Sequence, residues 1–177
     1  MGDAPVPRSS ALESQRVRHI LDEARALMRE SGWRNVSMRR LASRLDVKAP
    51  SLYKHISGKD ELYRLLLDEM LHALGDALHT AIAEDPSADS LLAAYRKTVL
   101  NDPHAYHLLS RSREVNFADP SELVQWLLAP FTTVAGDPTR GKAMWAFAHG
   151  LVSAELVQDQ GVDVDEVWHA GAVAFTP

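Results

Sequence analysis

Basic side chains recur between residues 37 and 59, in the segment SMRRLASRLDVKAPSLYKHISGK. Arg39 and Arg40 follow a Ser, Lys48 comes shortly before a Pro, and Lys59 follows Ser-Gly. Each Ser or Pro marks a predicted helix start, where the helix dipole disfavours a cation by about 0.3–1 kcal/mol. A polyanion would satisfy both the cations and the unpaired N–H groups at these starts. The pattern therefore indicates binding to a phosphate backbone.

The same segment has the spacing of two short helices joined by a tight turn. Ser37 is the predicted N-cap of the first helix, which would bury Leu41, Ala42 and Leu45. Asp46 suits the turn because Asp tolerates a left-handed backbone, and Pro50 would open the second helix. The side chains left outside on the second helix are Lys48, Ala49, Ser51, Tyr53, Lys54 and His55. Taken alone, this segment is also compatible with a solvated basic face that binds no DNA.

From about Arg18 to Met70 the chain resembles the N-terminal domain of the TetR family of bacterial transcriptional regulators. The resemblance lies in RHILDEARALMRESG, VSMRRLASRLDV and APSLYKHISGKDEL. It implies an all-α protein of about nine helices, whose third helix enters the major groove of double-stranded DNA. The implied phosphate contacts are Tyr53, His55 and Lys59, and the residues nearer the bases are Lys48, Ala49, Ser51 and Lys54. The family usually has Gly where this chain has Asp46, so a slightly strained turn is expected.

Charge is unevenly distributed along the chain. Residues 1–60 contain 12 Lys and Arg against 7 Asp and Glu, whereas residues 61–177 contain 7 against 17. The basic part is the part with the helix-turn-helix pattern, and the acidic part would orient it toward DNA. The absence of Cys, of a signal peptide and of an apolar run of about 18 residues predicts a cytoplasmic protein without a membrane span.

Helical periodicity continues through the rest of the chain and predicts three parts. Residues 1–10 would be a disordered tail, residues 11–58 the helix-turn-helix domain, and residues 59–177 a helical domain for effector binding and dimerisation. Asp-Pro pairs at 85, 102, 119 and 137 are expected at helix starts or in the turns before them. A long helix from Lys59 to about Ala83 would connect the two domains.

The predicted larger domain carries two further hypotheses. A small molecule could enter a cavity between its helices and release the protein from DNA, although plain core packing is the more common role for each lining residue. The proposed lining residues are Leu74, Tyr95, Val99, Tyr106, Trp126 and Phe131. Residues 143–156, AMWAFAHGLVSAEL, are apolar or small on all sides, which predicts a homodimer contact. Its predicted residues are Ala146, Gly150, Ala154, Trp168, Val173 and Phe175.

Two other functions compete with a ligand-responsive repressor that binds a palindromic operator. One is a DNA-binding protein that responds to no effector. The other is a helical metal-dependent enzyme that uses His104 and His107, three residues apart, with Glu114 and Asp119. Because the chain has no H-E-x-x-H motif, Gly-rich phosphate loop or Gly-x-Ser-x-Gly elbow, we expect neither an enzyme nor a cofactor or metal.

Overall fold

The computed structural model describes residues 6, 8–111, 120–157 and 164–176 of the 177-residue chain. Within these ranges the secondary structure is nine α-helices and two 3₁₀ turns, without a strand, which confirms the all-α prediction. The 3₁₀ turns are Ser10–Glu13 and Trp33–Asn35. The helices are α1 (Gln15–Ser31), α2 (Met38–Arg44), α3 (Ala49–Leu52), α4 (Lys59–Glu84), α5 (Ala88–Asn101), α6 (Pro103–Arg111), α7 (Glu122–Ala135), α8 (Pro138–Val157) and α9 (Val164–Phe175). No helix in the described part of the chain is long and apolar enough to cross a bilayer.

The chain divides into two compact units. The head unit is Pro7–Met70 with His104–Leu109, and the body unit is Met1–Val6, Leu71–Pro103 and Ser110–Pro177. The division along the chain thus falls after Met70, inside α4, whereas the sequence predicted a boundary after residue 58. Most of the predicted tail at residues 1–10 lies outside the described residues.

The head unit is built on the amphipathic helix α1. Its buried face consists of Val17, Ile20, Leu21, Ala24, Leu27 and Met28, as the 3.6-residue period predicts. Gly32 ends this helix with a positive φ of 73°, which a residue without a Cβ adopts at little cost. Leu41, Leu52 and Ile56 are fully buried and pack the helix-turn-helix from the inside. Leu45 is only half-buried, because it is the C-cap that leaves α2.

The start of α2 confirms Ser37 as its N-cap, since the Ser37 hydroxyl accepts a hydrogen bond from Arg40 N at 3.3 Å. Asp46 in the following turn has a φ of 51° and is the only described non-glycine residue with a positive φ. The expectation of a left-handed Asp46 is thereby confirmed. Helix α3 begins one residue earlier than the sequence predicted, with Lys48 as N-cap and Pro50 at the second helical position. Proline is tolerated there because the N–H groups of the first helical turn have no intrahelical acceptor.

Replacing Asp46 with Gly should stabilise the head unit by about 1 kcal/mol, because Gly adopts a positive φ without the Cβ clash that an L-residue pays. Urea denaturation followed by circular dichroism measures the change. Asp60→Gly is the control, because Asp60 is also exposed but lies in the first turn of α4, where Gly should destabilise. Equal effects of the two substitutions would contradict strain at Asp46.

Asp-Pro pairs mark helix starts in the body unit. Asp137 precedes Pro138 at the start of α8, and its carboxylate accepts from the backbone N–H groups of Thr139 and Arg140, both at 2.9 Å. Asp102 likewise precedes Pro103, the first residue of α6. At 85 the pair comes earlier, and a serine two residues after the Asp caps the next helix. At 119 the Asp lies outside the described residues, and a serine just after the Pro caps α7.

Glycine allows close packing at two places in the body unit. A Cβ at Gly141 of α8 would lie 2.8 Å from the backbone of Thr132 in α7. A Cβ at Gly171 of α9 would lie 2.2 Å from the ring of Phe147 in α8. Both distances are shorter than van der Waals contact, so these helix pairs approach each other only because the side chain is absent.

Candidate nucleic-acid interface

The basic side chains of the head unit fall into two groups. Those of Arg39, Lys48, Lys54 and His55 are exposed, and within the described residues no hydrogen bond or ion pair holds them. They lie on α2, on the turn after it, and on α3 with the turn that follows. Because no carboxylate neutralises them, their charge is available to an external anion.

The second group of cations is used inside the head unit. Arg44 of α2 pairs with Glu23 at 2.5 Å and with Glu30 at 2.6 Å, both on α1. Arg40 donates to the carbonyl oxygen of Asn35 at 2.7 Å and to the hydroxyl of Ser31 at 3.2 Å. These residues fasten α2 to α1 and to the 3₁₀ turn before it, so they hold the interface in place.

Lys59 also has intramolecular partners. Its ammonium nitrogen lies 3.1 Å from the carbonyl oxygen of Trp33, 3.4 Å from that of Arg34, and 4.9 Å from the centre of the Trp33 ring. The sequence did not single out Trp33. Only the fold brings it to Lys59, which is 26 residues away along the chain.

The first turn of α4 is capped by a different residue from the one the sequence indicated. Asp60 was the predicted partner of Ser57, but Glu61 Oε2 accepts from the backbone N–H of Ser57 at 2.5 Å. Hydrogen bonds from Ser57 lower the pKa of Glu61, because they stabilise its ionised form. Glu61 lies four residues after Ser57 rather than three, since the helix begins at Lys59 and not directly after Ser57.

The remaining predicted DNA contacts lie on the same surface. Tyr53 is 53% exposed, which is unusual for an aromatic side chain unless it serves a contact. Ala49 and Ser51 are half-exposed on α3. All seven predicted residues from Arg39 to His55 therefore reach solvent on the helix-turn-helix, and their contact with DNA stays a prediction.

Residues 20–66 match the model of the bacterial regulatory proteins of the TetR family. An HTH-type transcriptional regulator of Saccharopolyspora erythraea is 32% identical over 141 residues, which are 78% of this chain and 60% of that protein. The chain belongs to the TetR family. Because it spans only 60% of the length of this relative, the activity and partners of the whole TetR-family protein are treated below as proposals.

Solved structures share the fold of this TetR-family chain. The TetR family transcriptional regulator PfmR from Thermus thermophilus has a TM-score of 0.59 at 18% identity, over 88% of this chain and 96% of PfmR. The multidrug binding protein EbrR complexed with imidazole has a TM-score of 0.68 at 18% identity, over 97% of both chains. At these identities the likeness establishes the fold alone.

The predicted effector residues of this TetR-family protein are all buried. Leu74, Tyr95, Val99, Trp126 and Phe131 belong to the body unit, whereas Tyr106 belongs to the head unit. In the body unit a groove of about 290 Å³ runs between α5 and α9, and none of the six residues lines it. The sequence could not anticipate the groove, because its charged residues, such as Arg96 and Asp165, are distant along the chain.

Two aromatic clusters of the body unit contain histidines. The Trp126 ring stacks on His79 with ring centres 4.9 Å apart, and His72 lies 5.9 Å from it on the same helix α4. The Tyr95 hydroxyl is hydrogen-bonded to Nδ1 of His149 at 3.3 Å, and His149 stacks on Trp145 at 4.7 Å. No common role was predicted for His72 and His79 from the sequence, yet both contact one indole. In the described part of the chain no three His, Asp or Glu side chains form a metal site, and Glu114 and Asp119 lie outside it.

Burial lowers the pKa of His149 from its usual 6.5, because the interior disfavours the charged ring. Below pH 6.5 the unfolded chain takes up a proton that the folded state resists. The stability contributed by neutral His149 is therefore complete above pH 6.5 and is lost as the pH falls from there through the lowered pKa. Thermal unfolding of His149→Gln between pH 5 and 7.5 should show a smaller loss toward acid than the wild type (roughly the range in which His titrates). His19→Gln, at an exposed site, is the control, and an identical pH profile for both variants would contradict this assignment.

The predicted dimer residues divide by exposure. Ala146, Gly150 and Ala154 of α8 are exposed, and Val173 of α9 is 61% exposed. Phe175 is half-buried, with its ring centre 5.9 Å from that of Phe147. Trp168 is only 6% exposed and donates its indole N–H to Glu155 at 3.1 Å within the same subunit. Trp168 thus has little surface left for a partner, and the interface proposed below omits it.

Proposed function

We propose that the protein is a cytoplasmic, dimeric DNA-binding regulator whose head unit contacts an operator through the helix-turn-helix. The observation that carries the proposal is the group of exposed, unpaired cations on α2, α3 and the turns beside them, namely Arg39, Lys48, Lys54 and His55. A helix-turn-helix presents its second helix to the major groove, with contacts from the surrounding segments to phosphates. Tyr53, Ala49 and Ser51 complete this surface.

Selection of duplexes from a random pool, followed by fluorescence anisotropy at several salt concentrations, tests DNA binding. Arg39→Gln should lower the magnitude of the slope of log K against log[salt] by about 0.9, the value for one lost phosphate contact. Arg40→Gln is the matched control, because Arg40 is bonded to Asn35 and Ser31 and should leave the slope unchanged. A wild-type protein that binds no duplex at low salt would refute the proposed function.

Dimerisation follows from a surface that consists of small and apolar residues. The small-residue face of α8 is Ala143, Ala146, Gly150 and Ala154, which recur at intervals of three and four residues and are all exposed. Val157, which is 81% exposed, and Val173 of α9 extend it. A second copy that packed its own α8 and α9 on this face would form a symmetric four-helix contact. Gly150 supports this arrangement, since no atom of the subunit lies within 4 Å of an added Cβ there.

The effector hypothesis concerns the body unit. Its core contains imidazole and phenol groups beside aromatic rings, at His79–Trp126 and at Tyr95–His149, and small-molecule sites commonly combine apolar walls with a few polar groups. EbrR, which has the same fold, is described as a multidrug binding protein. A small molecule that binds among Leu74, Tyr95, Val99, Trp126 and Phe131 would have to displace packed side chains, and that displacement would couple it to DNA release.

A thermal-shift screen of small molecules, repeated in the presence of the selected operator, tests the coupling. A true effector should stabilise the protein alone and lower its operator affinity by the same factor by which DNA weakens effector binding. A ligand that stabilises the protein without changing DNA affinity would count against an effector role. Strong DNA binding with no responsive ligand would favour the effector-independent alternative.

A further inference from the structure

Trp33 is the centre of a small cluster in the head unit. Its ring lies 4.9 Å from the ammonium of Lys59 and 5.7 Å from the ring of Tyr63. The Tyr63 hydroxyl donates to the carbonyl oxygen of Leu108 at 2.9 Å, which fixes the Tyr63 ring. Trp33 is thereby held between a cation on one side and an anchored aromatic ring on the other.

The Lys59 ammonium is committed to this cluster. A lysine has three N–H donors, and two of them point to the carbonyl oxygens of Trp33 and Arg34. The indole of Trp33 attracts the same charge through its π-face. Lys59 is half-buried, unlike Arg39, Lys48 and Lys54, which are exposed.

The position of these residues in the chain gives the cluster its significance. Trp33 and Arg34 lie just before the N-cap of α2, and Lys59 is the first residue of α4, just after the turn that follows α3. The contact between them therefore joins the segment that enters the helix-turn-helix to the segment that leaves it. Fixing both ends restricts the relative motion of α2 and α3, on which the shape of the DNA-binding surface depends.

We propose that Trp33 is a positioning residue for the DNA-binding surface, and that Lys59 serves this surface by docking on Trp33 rather than by contacting phosphate. The inference rests on the proposed DNA binding, and it replaces the phosphate contact that the family resemblance implies for Lys59. Trp33 acts through Lys59 and the backbone around it and does not itself touch DNA.

Salt-dependent operator binding separates docking from phosphate contact. Lys59→Met keeps the length of the side chain and removes its charge, and Arg39→Gln is the reference for a lost phosphate contact. Docking predicts that Lys59→Met weakens binding roughly tenfold at every salt concentration, through lost charge-assisted hydrogen bonds, with no change in slope. Trp33→Leu should give a similar loss, and the double variant should lose little more than either single one because the two side chains act as a unit.

Three outcomes would overturn the inference. A slope reduced by about 0.9 in Lys59→Met, as in Arg39→Gln, would show a phosphate contact. Wild-type affinity in Trp33→Leu would show that the indole positions nothing. Additive losses in the double variant would show that the two residues act independently. If Lys59→Met does not fold, Trp33→Leu, which keeps both carbonyl acceptors, carries the slope and affinity tests.

A measurement without DNA separates failure of this inference from failure of the proposed function. The indole N–H signals of uniformly ¹⁵N-labelled protein are recorded by NMR, and the Trp33 signal is assigned with Trp33→Phe. Lys59→Met should shift the Trp33 signal more than those of the other three tryptophans. An unshifted Trp33 signal would refute docking even if DNA binding is strong. A wild-type protein that ignores every duplex would refute the role at DNA, whatever the indole signal does.

Discussion

Gly150→Glu is expected to convert the dimer to a monomer and to weaken operator binding by about 10²–10⁴-fold, the usual gain from linking two binding events. Position 150 is exposed in the middle of α8, and nothing within the subunit lies near an added Cβ. The carboxylate would therefore leave the fold of each subunit intact. In the proposed dimer it would be buried opposite its own copy, where two like charges lose hydration and repel each other.

Sedimentation velocity measures the mass, and anisotropy with the selected duplex measures the affinity. Ala93→Glu is the matched control, because it places the same side chain on an exposed position of α5, outside the small-residue face. Gly150→Ala gives a graded test. In a monomer it should stabilise the helix by about 1 kcal/mol, whereas a helix packed closely at Gly150 would oppose the added methyl group. A Gly150→Glu protein that remains dimeric with wild-type affinity would place the interface elsewhere.

The glycines of α8 and α9 illustrate how far the sequence could predict the packing. The apolar character of residues 143–156 correctly indicated a helix with small residues on an exposed side, because composition and period are local properties. It could not tell that Gly141 and Gly171 are filled by neighbours within the subunit whereas Gly150 faces open space. That difference depends on the crossing of helices, which no local pattern encodes.

The cations give the same lesson at the candidate interface. The helix-turn-helix, the Ser37 cap and the left-handed Asp46 follow from short-range rules, and the structure confirms them. Which basic residues stay available for an anion depends on partners far along the chain. Arg44 finds its carboxylates on α1, and Lys59 finds the carbonyl groups before α2. The sequence therefore located the basic surface but could not separate its contacts from its supports.

The body unit was predicted least well, for a physical reason. An aromatic residue at helical spacing satisfies the same pattern whether it fills a core or lines a cavity. Tyr95 and Phe131 have no exposed surface and meet edge to face, with ring centres 6.0 Å apart. Their role in ligand binding stays a prediction, and the groove beside Arg96 was missed because its lining combines α5 with α9.

Lys48→Gln and Lys54→Gln should change the preference among operator sequences, by about 1–3 kcal/mol at the base pair that each lysine contacts. Both side chains are exposed, Lys48 as the N-cap of α3 and Lys54 in the turn after it. A lysine on this helix can donate to the O6 and N7 acceptors of guanine in the major groove, and glutamine would favour adenine instead. The loss is therefore expected on some base pairs and not on others.

Affinities for a set of duplexes, each with one base pair of the selected operator replaced, distinguish a base contact from a phosphate contact. Arg39→Gln, as a phosphate contact, should weaken binding to every duplex by the same factor and leave their order unchanged. Each lysine variant should instead reorder the duplexes at one symmetric pair of positions, because each subunit of the proposed dimer reads one half-site. Uniform weakening by Lys48→Gln and Lys54→Gln would assign both lysines to the backbone, and the specificity would then have to come from Ala49, Ser51 or the shape of the duplex.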